Sequence, residues 1–235
     1  MQSALSRYML DVVNLFYPKV CLACSEALLG NEEVICFKCE ATLPETGHWN
    51  DPENALMKRF WGRVDLQGAA AMLQFQKGGP VQHLLHQLKY RGRQDVAAFL
   101  GQNFGNILKN DSSVIKDIDV VVPVPLHWKK LKSRGYNQCS FFAEELAKAL
   151  NTGWSDTALE RVHENISQTK FSRLDRWGNV AEIFAVKDAT QLAGKHVLVV
   201  DDVVTTGATA EACMQTVLGV EGTRVSFAAM AVALR

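Results

Sequence analysis

His196-Val-Leu-Val-Val-Asp-Asp-Val-Val-Thr-Thr-Gly-Ala-Thr209 is the stretch that decides the fold. Val197 to Val200 form an unbroken apolar run, the pattern of a strand buried on both faces of a parallel sheet. Asp201 and Asp202 follow at the C-terminal end of that strand. Thr205-Thr206-Gly207-Ala208-Thr209 is a turn of small residues, and a helical pattern opens after it. Loop amides, threonine hydroxyls and the dipole of a helix N-terminus can together hold a phosphate. Two carboxylates beside them can hold ribose hydroxyls or a hydrated Mg2+. The stretch therefore suits a sugar phosphate. An ordinary strand-to-helix turn has no need of two adjacent acids at a strand end.

Strands and helices alternate on both sides of this stretch. Gly68–Gln76 reads as a strand ended by Lys77-Gly-Gly79, and Pro80 opens a helix with Val81, Leu84, Leu85 and Leu88 on one face. Lys89, Arg91 and Arg93 close that helix, either as cations favoured at a helix C-terminus or as a phosphate-facing cluster. A second helix is expected from about Asp95 to Lys109. Ile118–Val122 is a buried strand, and Pro123-Val-Pro125 takes the chain out of the sheet at its C-terminal edge, where open α/β sheets bind ligands. A cationic loop with Lys129, Lys130, Lys132 and Arg134 comes next, then a helix carrying Phe141, Phe142, Leu146 and Leu150. Residues 161–180 have little apolar periodicity and read as a flexible, cation-bearing loop able to close over an anion. Ile183–Val186 and Arg224–Val232 complete the strands. The pattern predicts an α/β fold with a mainly parallel sheet flanked by helices.

The composition sets limits. Of 235 residues, 48% are hydrophobic and 21% charged, with 25 basic against 25 acidic side chains. That suits one sizeable core and a small accessory unit. A neutral chain has no global basic field, so polyanion binding must come from a local patch. No apolar run reaches the roughly 18 residues of a membrane span. The N-terminus lacks a signal-peptide pattern, and a cytoplasmic location is expected.

Four of the six cysteines form two tight pairs, Cys21-Leu-Ala-Cys24 and Cys36-Phe-Lys-Cys39, eleven residues apart. Each pair can aim two thiolates at one metal, and two such knuckles complete a tetrahedral site suited to structural Zn2+. A disulfide or redox dithiol is the alternative. Leu5, Met9, Val12, Val13 and Phe16 recur at helical spacing ahead of this module. The expected organisation is a helix and four-cysteine zinc-binding module over 1–45, a turn-rich connector over 46–63 with His48 at the surface, and the α/β domain over 64–235.

The opening stretch resembles the 5-phosphoribosyl-1-pyrophosphate (PRPP) loop of type I phosphoribosyltransferases. With the four cysteines, Leu88-Lys-Tyr-Arg-Gly92, Val122-Pro-Val-Pro-Leu126, Arg134-Gly-Tyr-Asn-Gln138, and Gln168-Thr-Lys170 followed by Arg173, Arg176 and Asn179-Val180, the whole chain resembles the ComF family of competence-associated phosphoribosyltransferase-like proteins. The resemblance implies a type I phosphoribosyltransferase fold with a zinc-ribbon-like N-terminal module. It implies a base-selecting hood over about residues 64–92. It also implies PRPP bound with Mg2+ by Asp201, Asp202, Thr205, Thr206, Gly207, Ala208, Thr209, Arg134 and Lys89. Asp201, Asp202, Lys170 and Arg176 would be the catalytic set. A role with single-stranded DNA in natural transformation follows, with DNA-uptake helicase or recombination proteins as partners. Lys129, Lys130, Lys132 and Arg134 are the candidate nucleic-acid patch, with Trp128 or Tyr136 available for stacking. The alternative is an active phosphoribosyltransferase with a nucleobase or amine acceptor and no DNA role.

Overall fold

The computed structural model describes residues 18–163 and 183–233. In chain order the strands are Gly68–Phe75 (β1), Val120–Pro123 (β2), Gly153–Trp154 (β3), Leu159–Arg161 (β4), Phe184–Val186 (β5), His196–Val204 (β6) and Arg224–Ala233 (β7). The helices are Phe37–Ala41 (α1), Ala55–Phe60 (α2), Pro80–Tyr90 (α3), Gln94–Asp111 (α4), Trp128–Arg134 (α5), Gln138–Leu150 (α6) and Ala208–Leu218 (α7). Five strands form one parallel sheet in the order β1-β7-β6-β2-β3. β4 and β5 make a separate antiparallel ribbon at the two ends of segment 164–182.

Strand periodicity divides the core between the two faces of the sheet. Along β6, Leu198 and Val200 join a cluster that includes α3, α4 and α6. Val197 and Val199 join the opposite cluster with α7 and α2. Glycine lets two helices of the first layer meet closely. A Cβ on Gly101 of α4 would lie 2.7 Å from the Phe142 carbonyl of α6.

The sheet order creates a switch point. After β2 the chain crosses through α6 to β3, and after β6 it crosses through α7 to β7, in the opposite direction along the sheet. β2 and β6 are neighbours, so the loops at their C-terminal ends diverge onto opposite faces and leave a crevice between them.

Several expectations need correcting. β6 does not end at Val200: Asp201 and Val203 remain in register with Ala229 and Ala231 of β7, so the two acids lie inside the strand. Residues 128–134 are a helix rather than a loop. The buried His127 ring caps it by accepting from the Lys129 N–H at 3.4 Å, and Gly135 ends it. The 46–63 connector is part of the core. Thr46 N–H donates to the Met72 carbonyl (3.0 Å) and Gln74 N–H to the Pro44 carbonyl (2.7 Å), which covers the free edge of β1. His48 is buried rather than at the surface; its Nδ1 accepts from the Ala71 N–H at 3.4 Å, and burial lowers its pKa. Asn54 explains the local order. Its amide donates to the carbonyls of His48, Asp51 and Ala69, and its oxygen caps α2 through Leu56 and Met57. Residues 64–92 hold β1 at the edge of the main sheet and α3 packed on it, and the base-selecting hood expected over this span is a proposal.

The cysteine module packs directly on the domain. Cys21, Leu22, Ala23, Val34, Ile35 and Cys36 belong to the same apolar cluster as Val81, Leu84, Leu85 and Leu88 of α3. His83 of that helix meets the Ala23 carbonyl at 3.1 Å. The N-terminal helix expected around Leu5 to Phe16 lies outside the described residues. Among the described residues, no helix is long and apolar enough to cross a membrane.

Candidate functional site

The crevice is built from three pieces of chain. β6 brings Asp201 and Asp202, both half-buried. Their neighbour Lys89, at the end of α3, places Nζ 2.8 Å from Asp202 Oδ2. Cys139, in the first turn of α6, reaches Asp201 Oδ1 at 3.7 Å. Burial, with the charge of Asp202 beside it, pushes Asp201 up to about 7. Burial and the same carboxylates push the Cys139 thiol well above its ordinary value, so it stays protonated and donates to Asp201. The site thus holds one carboxylate paired with a cation and one poised between charge states near neutrality.

Beyond the acids the chain turns through exposed Thr205 and Thr206 into α7. Gly207 is the N-cap with φ +84°, a left-handed conformation that favours glycine, and a Cβ there would meet Phe60 at 2.9 Å. Thr206 Oγ1 accepts from the Ala208 N–H at 3.3 Å. Underneath, α2 holds the loop from the protein side. Arg59 donates to the Thr205 carbonyl and, at 3.2 Å, to that of Ala233, while Arg63 pairs with Glu211 of α7. The open side of the loop presents backbone N–H groups and hydroxyls at a helix N-terminus, an arrangement that binds anions.

The opposite wall is the Arg134–Gln138 turn. Tyr136 OH donates to the Leu88 carbonyl, Arg134 lies over the Tyr90 ring at 5.5 Å, and Asn137 Nδ2 donates to the Val124 carbonyl at 3.1 Å. The turn therefore ties the end of α3 to the loop leaving β2, and brings three sequence motifs to one place. Gln138 is fully buried with both side-chain amide atoms unpaired among the described residues.

Of the expected residues, Lys89, Asp201 and Asp202 meet directly, with the Thr205–Thr209 loop following on the same strand. Lys129, Lys130 and Lys132 stand exposed on α5, and Arg134 is half-buried at its end. Lys170 and Arg176 lie outside the described residues, as does most of the expected 161–180 loop. Sequence reading missed Arg59, Phe60 and the thiol contact of Cys139. A buried-aromatic signal existed at Phe60, hidden in a segment full of turn residues.

The four module cysteines converge. Their sulfurs lie within 4.8 Å of one another, and the Cys24 and Cys36 sulfurs are 3.9 Å apart. A tetrahedral zinc with bonds of about 2.3 Å sets its sulfurs about 3.8 Å apart. The donor set and spacing fit zinc, and all four are free thiols. The knuckle is shaped by backbone bonds: Ser25 N–H to the Cys21 carbonyl, Cys36 N–H to Cys21 Sγ at 3.3 Å, and Glu40 N–H to the Cys36 carbonyl. Glu32 anchors the second pair by accepting from the Leu29 and Phe37 N–H groups, which lowers its pKa.

The family model described as "Phosphoribosyl transferase domain" matches residues 137–233, from the Asn-Gln turn through β7. With the parallel sheet and its flanking helices, this makes the molecule a type I phosphoribosyltransferase fold. The chain is 30% identical over 203 residues to the DNA utilization protein YhgH of Escherichia coli K12, covering 85% of this chain and 84% of that one. It is 32% identical over 141 residues to the YhgH of Salmonella typhimurium, covering 59% of this chain and 61% of that one. It thus spans about three fifths of the Salmonella protein. Competence protein F of Haemophilus influenzae is 25% identical over 164 residues, 69% of this chain and 60% of that protein. Among solved structures, a glutamine PRPP amidotransferase from B. subtilis aligns at 21% identity and a TM-score of 0.42, over 62% of this chain and 30% of that one. The chain belongs to the ComF family of competence-related, phosphoribosyltransferase-like proteins.

Proposed function

We propose that the protein binds PRPP with Mg2+ in the crevice between β2 and β6, and handles single-stranded DNA in the cytoplasm during its uptake. The observation that carries this reading is the meeting of Lys89 with Asp202 beside the Thr205–Thr209 loop. The 5-phosphate would take the amides and hydroxyls of Thr205, Thr206, Gly207, Ala208 and Thr209. The ribose hydroxyls would take Asp201 and Asp202. Lys89 and Arg134 would face the pyrophosphate, where the family resemblance also puts Lys170 and Arg176. Paired half-buried carboxylates fit a hydrated Mg2+ held jointly with a diphosphate, and the ion would supply charge neutralisation at the pyrophosphate. The described residues would bind and orient the ribose, and Asp201 would shed its proton as the cation arrives. DNA phosphates would lie on Lys129, Lys130 and Lys132, the exposed cations of α5.

Two measurements test this reading. Calorimetry should show saturable binding of PRPP with Mg2+ that disappears in Asp201→Ala/Asp202→Ala; no heat with the wild type would sink the pocket. Single-strand affinity should fall in Lys129→Ala/Lys130→Ala/Lys132→Ala with a shallower salt dependence, and an unchanged slope would remove the patch. The same protein screened for pyrophosphate release from PRPP, across nucleobases and amines, separates a binding protein from a transferase.

A further inference from the structure

We infer that a cleft beside the switch point takes a base of a single DNA strand whose phosphates lie on α5. The inference rests on the DNA reading above and says where a base would go. The cleft, of about 550 Å3, lies between α5, the start of α6 and the β3–β4 segment, and is separate from the Thr205–Thr209 loop.

Its lining is aromatic and acidic. Trp128, Tyr136, Phe141 and Trp154 contribute ring surface, and Trp128 and Trp154 remain 60% and 37% exposed. Indole rings left open to water around a concavity are unusual, because covering them is favourable. Lys129 sits 5.8 Å over the Trp128 ring, so that a move of this lysine onto a strand phosphate would uncover the ring face for a base. Glu144, Asp156 and Glu160 line the same cleft. Arg161 and Lys187 are its two cations, and Arg161 is engaged over Phe184 and with the His163 carbonyl.

Charge chooses the occupant. Glu144 pairs with Lys148 at 2.9 Å, so the oxygens of Asp156 and Glu160 are the ones that would accept from the exocyclic amino groups of adenine and cytosine. Outside the cleft Lys129, Lys130 and Lys132 are exposed and suit the backbone of the same strand. A ring pocket beside a row of cations is the arrangement by which single strands are held, bases on aromatic faces and phosphates on lysines. A cleft open along one side also admits a base that stays attached to its chain. The amino-bearing bases are therefore expected to bind better than thymine.

The test is fluorescence anisotropy of labelled strands of about 12 nucleotides with the full chain: oligo-dA, oligo-dC, oligo-dT and an abasic strand of equal length. Wild type is compared with Trp128→Ala/Trp154→Ala and with Trp128→Phe/Trp154→Phe. The alanine pair is expected to weaken oligo-dA and oligo-dC by about tenfold or more, to leave the abasic strand and the salt slope unchanged, and to be largely rescued in the phenylalanine pair. Equal loss on the abasic strand, no loss on the base-bearing strands, or deoxyadenosine monophosphate competing as well as the strand would each overturn the proposal. Wild-type strand binding that responds to the α5 lysines but not to the tryptophans sinks this inference alone. Absence of any strand binding sinks the DNA reading as well.

Discussion

The cysteine module and the β2–β6 crevice obtain their order in opposite ways. The module is a pair of turns with six residues in the apolar cluster and four sulfurs aimed at one point. So short a segment cannot build a core of its own, and a bound ion would supply its folding energy. The crevice needs no ion to stay in shape, since β6 and β2 are fixed by a sheet packed on both faces. Its cost runs the other way: it places adjacent carboxylates inside a strand, one of them pushed towards neutrality. One region would be stabilised by the ion its four thiols fit, and the other carries charge suited to the ligand proposed for it. They are joined by α3, whose apolar face holds the module and whose last turn sets Lys89 on Asp202.

The strongest way to break this contrast is to assay the purified chain for zinc and then chelate it. The purified full chain is expected to carry about one zinc per molecule, and chelation to lower the thermal midpoint by more than about 10 °C. A loss produced by reductant instead of chelator would favour the disulfide reading. Phe60→Ala comes next. Its ring is buried, meets Phe227 edge-on at 5.6 Å and packs under Gly207, so truncation should cost about 3–5 kcal/mol in urea unfolding. An effect below about 1 kcal/mol would mean the loop is not held from beneath.

Asp201→Asn sharpens the other half. The folded-state pKa is raised from 3.8 to about 7, so between those values the folded chain keeps a proton that the unfolded chain has lost. Stability therefore falls as pH rises through that window, and the penalty is complete above it. The amide should raise stability at pH 8, by at most about 4 kcal/mol for a shift of this size, and change little at pH 4. Equal effects at both values would deny the shift. The smallest effect is expected from Lys89→Met, which removes a partly buried ion pair and should cost about 1 kcal/mol. Because Lys89 also holds Asp201 down, this variant should move the pH midpoint upward.

What could be read in the sequence depended on whether a segment's order is local. The apolar run of β6, the helical face of α3 and the paired cysteines are local patterns, and each led to its element. The acids were expected just past the strand because an apolar run stops at Val200; pairing with Ala229 and Ala231 of β7 carries the strand on to Val204. Residues 46–63 read as a connector because turn-forming residues crowd its first half, Gly47, Asn50, Asp51, Pro52 and Asn54 among them. Their order comes from contacts distant in sequence: Asn54 on Ala69, His48 on Ala71, Trp49 on Phe104. α5 was hidden by its cations and by a histidine in the capping position. β3 is two residues long, too short to carry a period. The candidate site followed the same rule. Asp202 and Lys89 could be named separately, but their contact depends on α3 crossing the sheet.

The central claim is that the crevice at the ends of β2 and β6 binds a ribose phosphate with its cation on Asp201 and Asp202. The most direct test is titration calorimetry of PRPP with Mg2+ at pH 7, in two buffers of different ionisation enthalpy. The account predicts one saturable site per chain and release of a fraction of a proton, with both lost in Asp201→Asn/Asp202→Asn. Absence of binding by the wild type, or equal binding by the double variant, would contradict it.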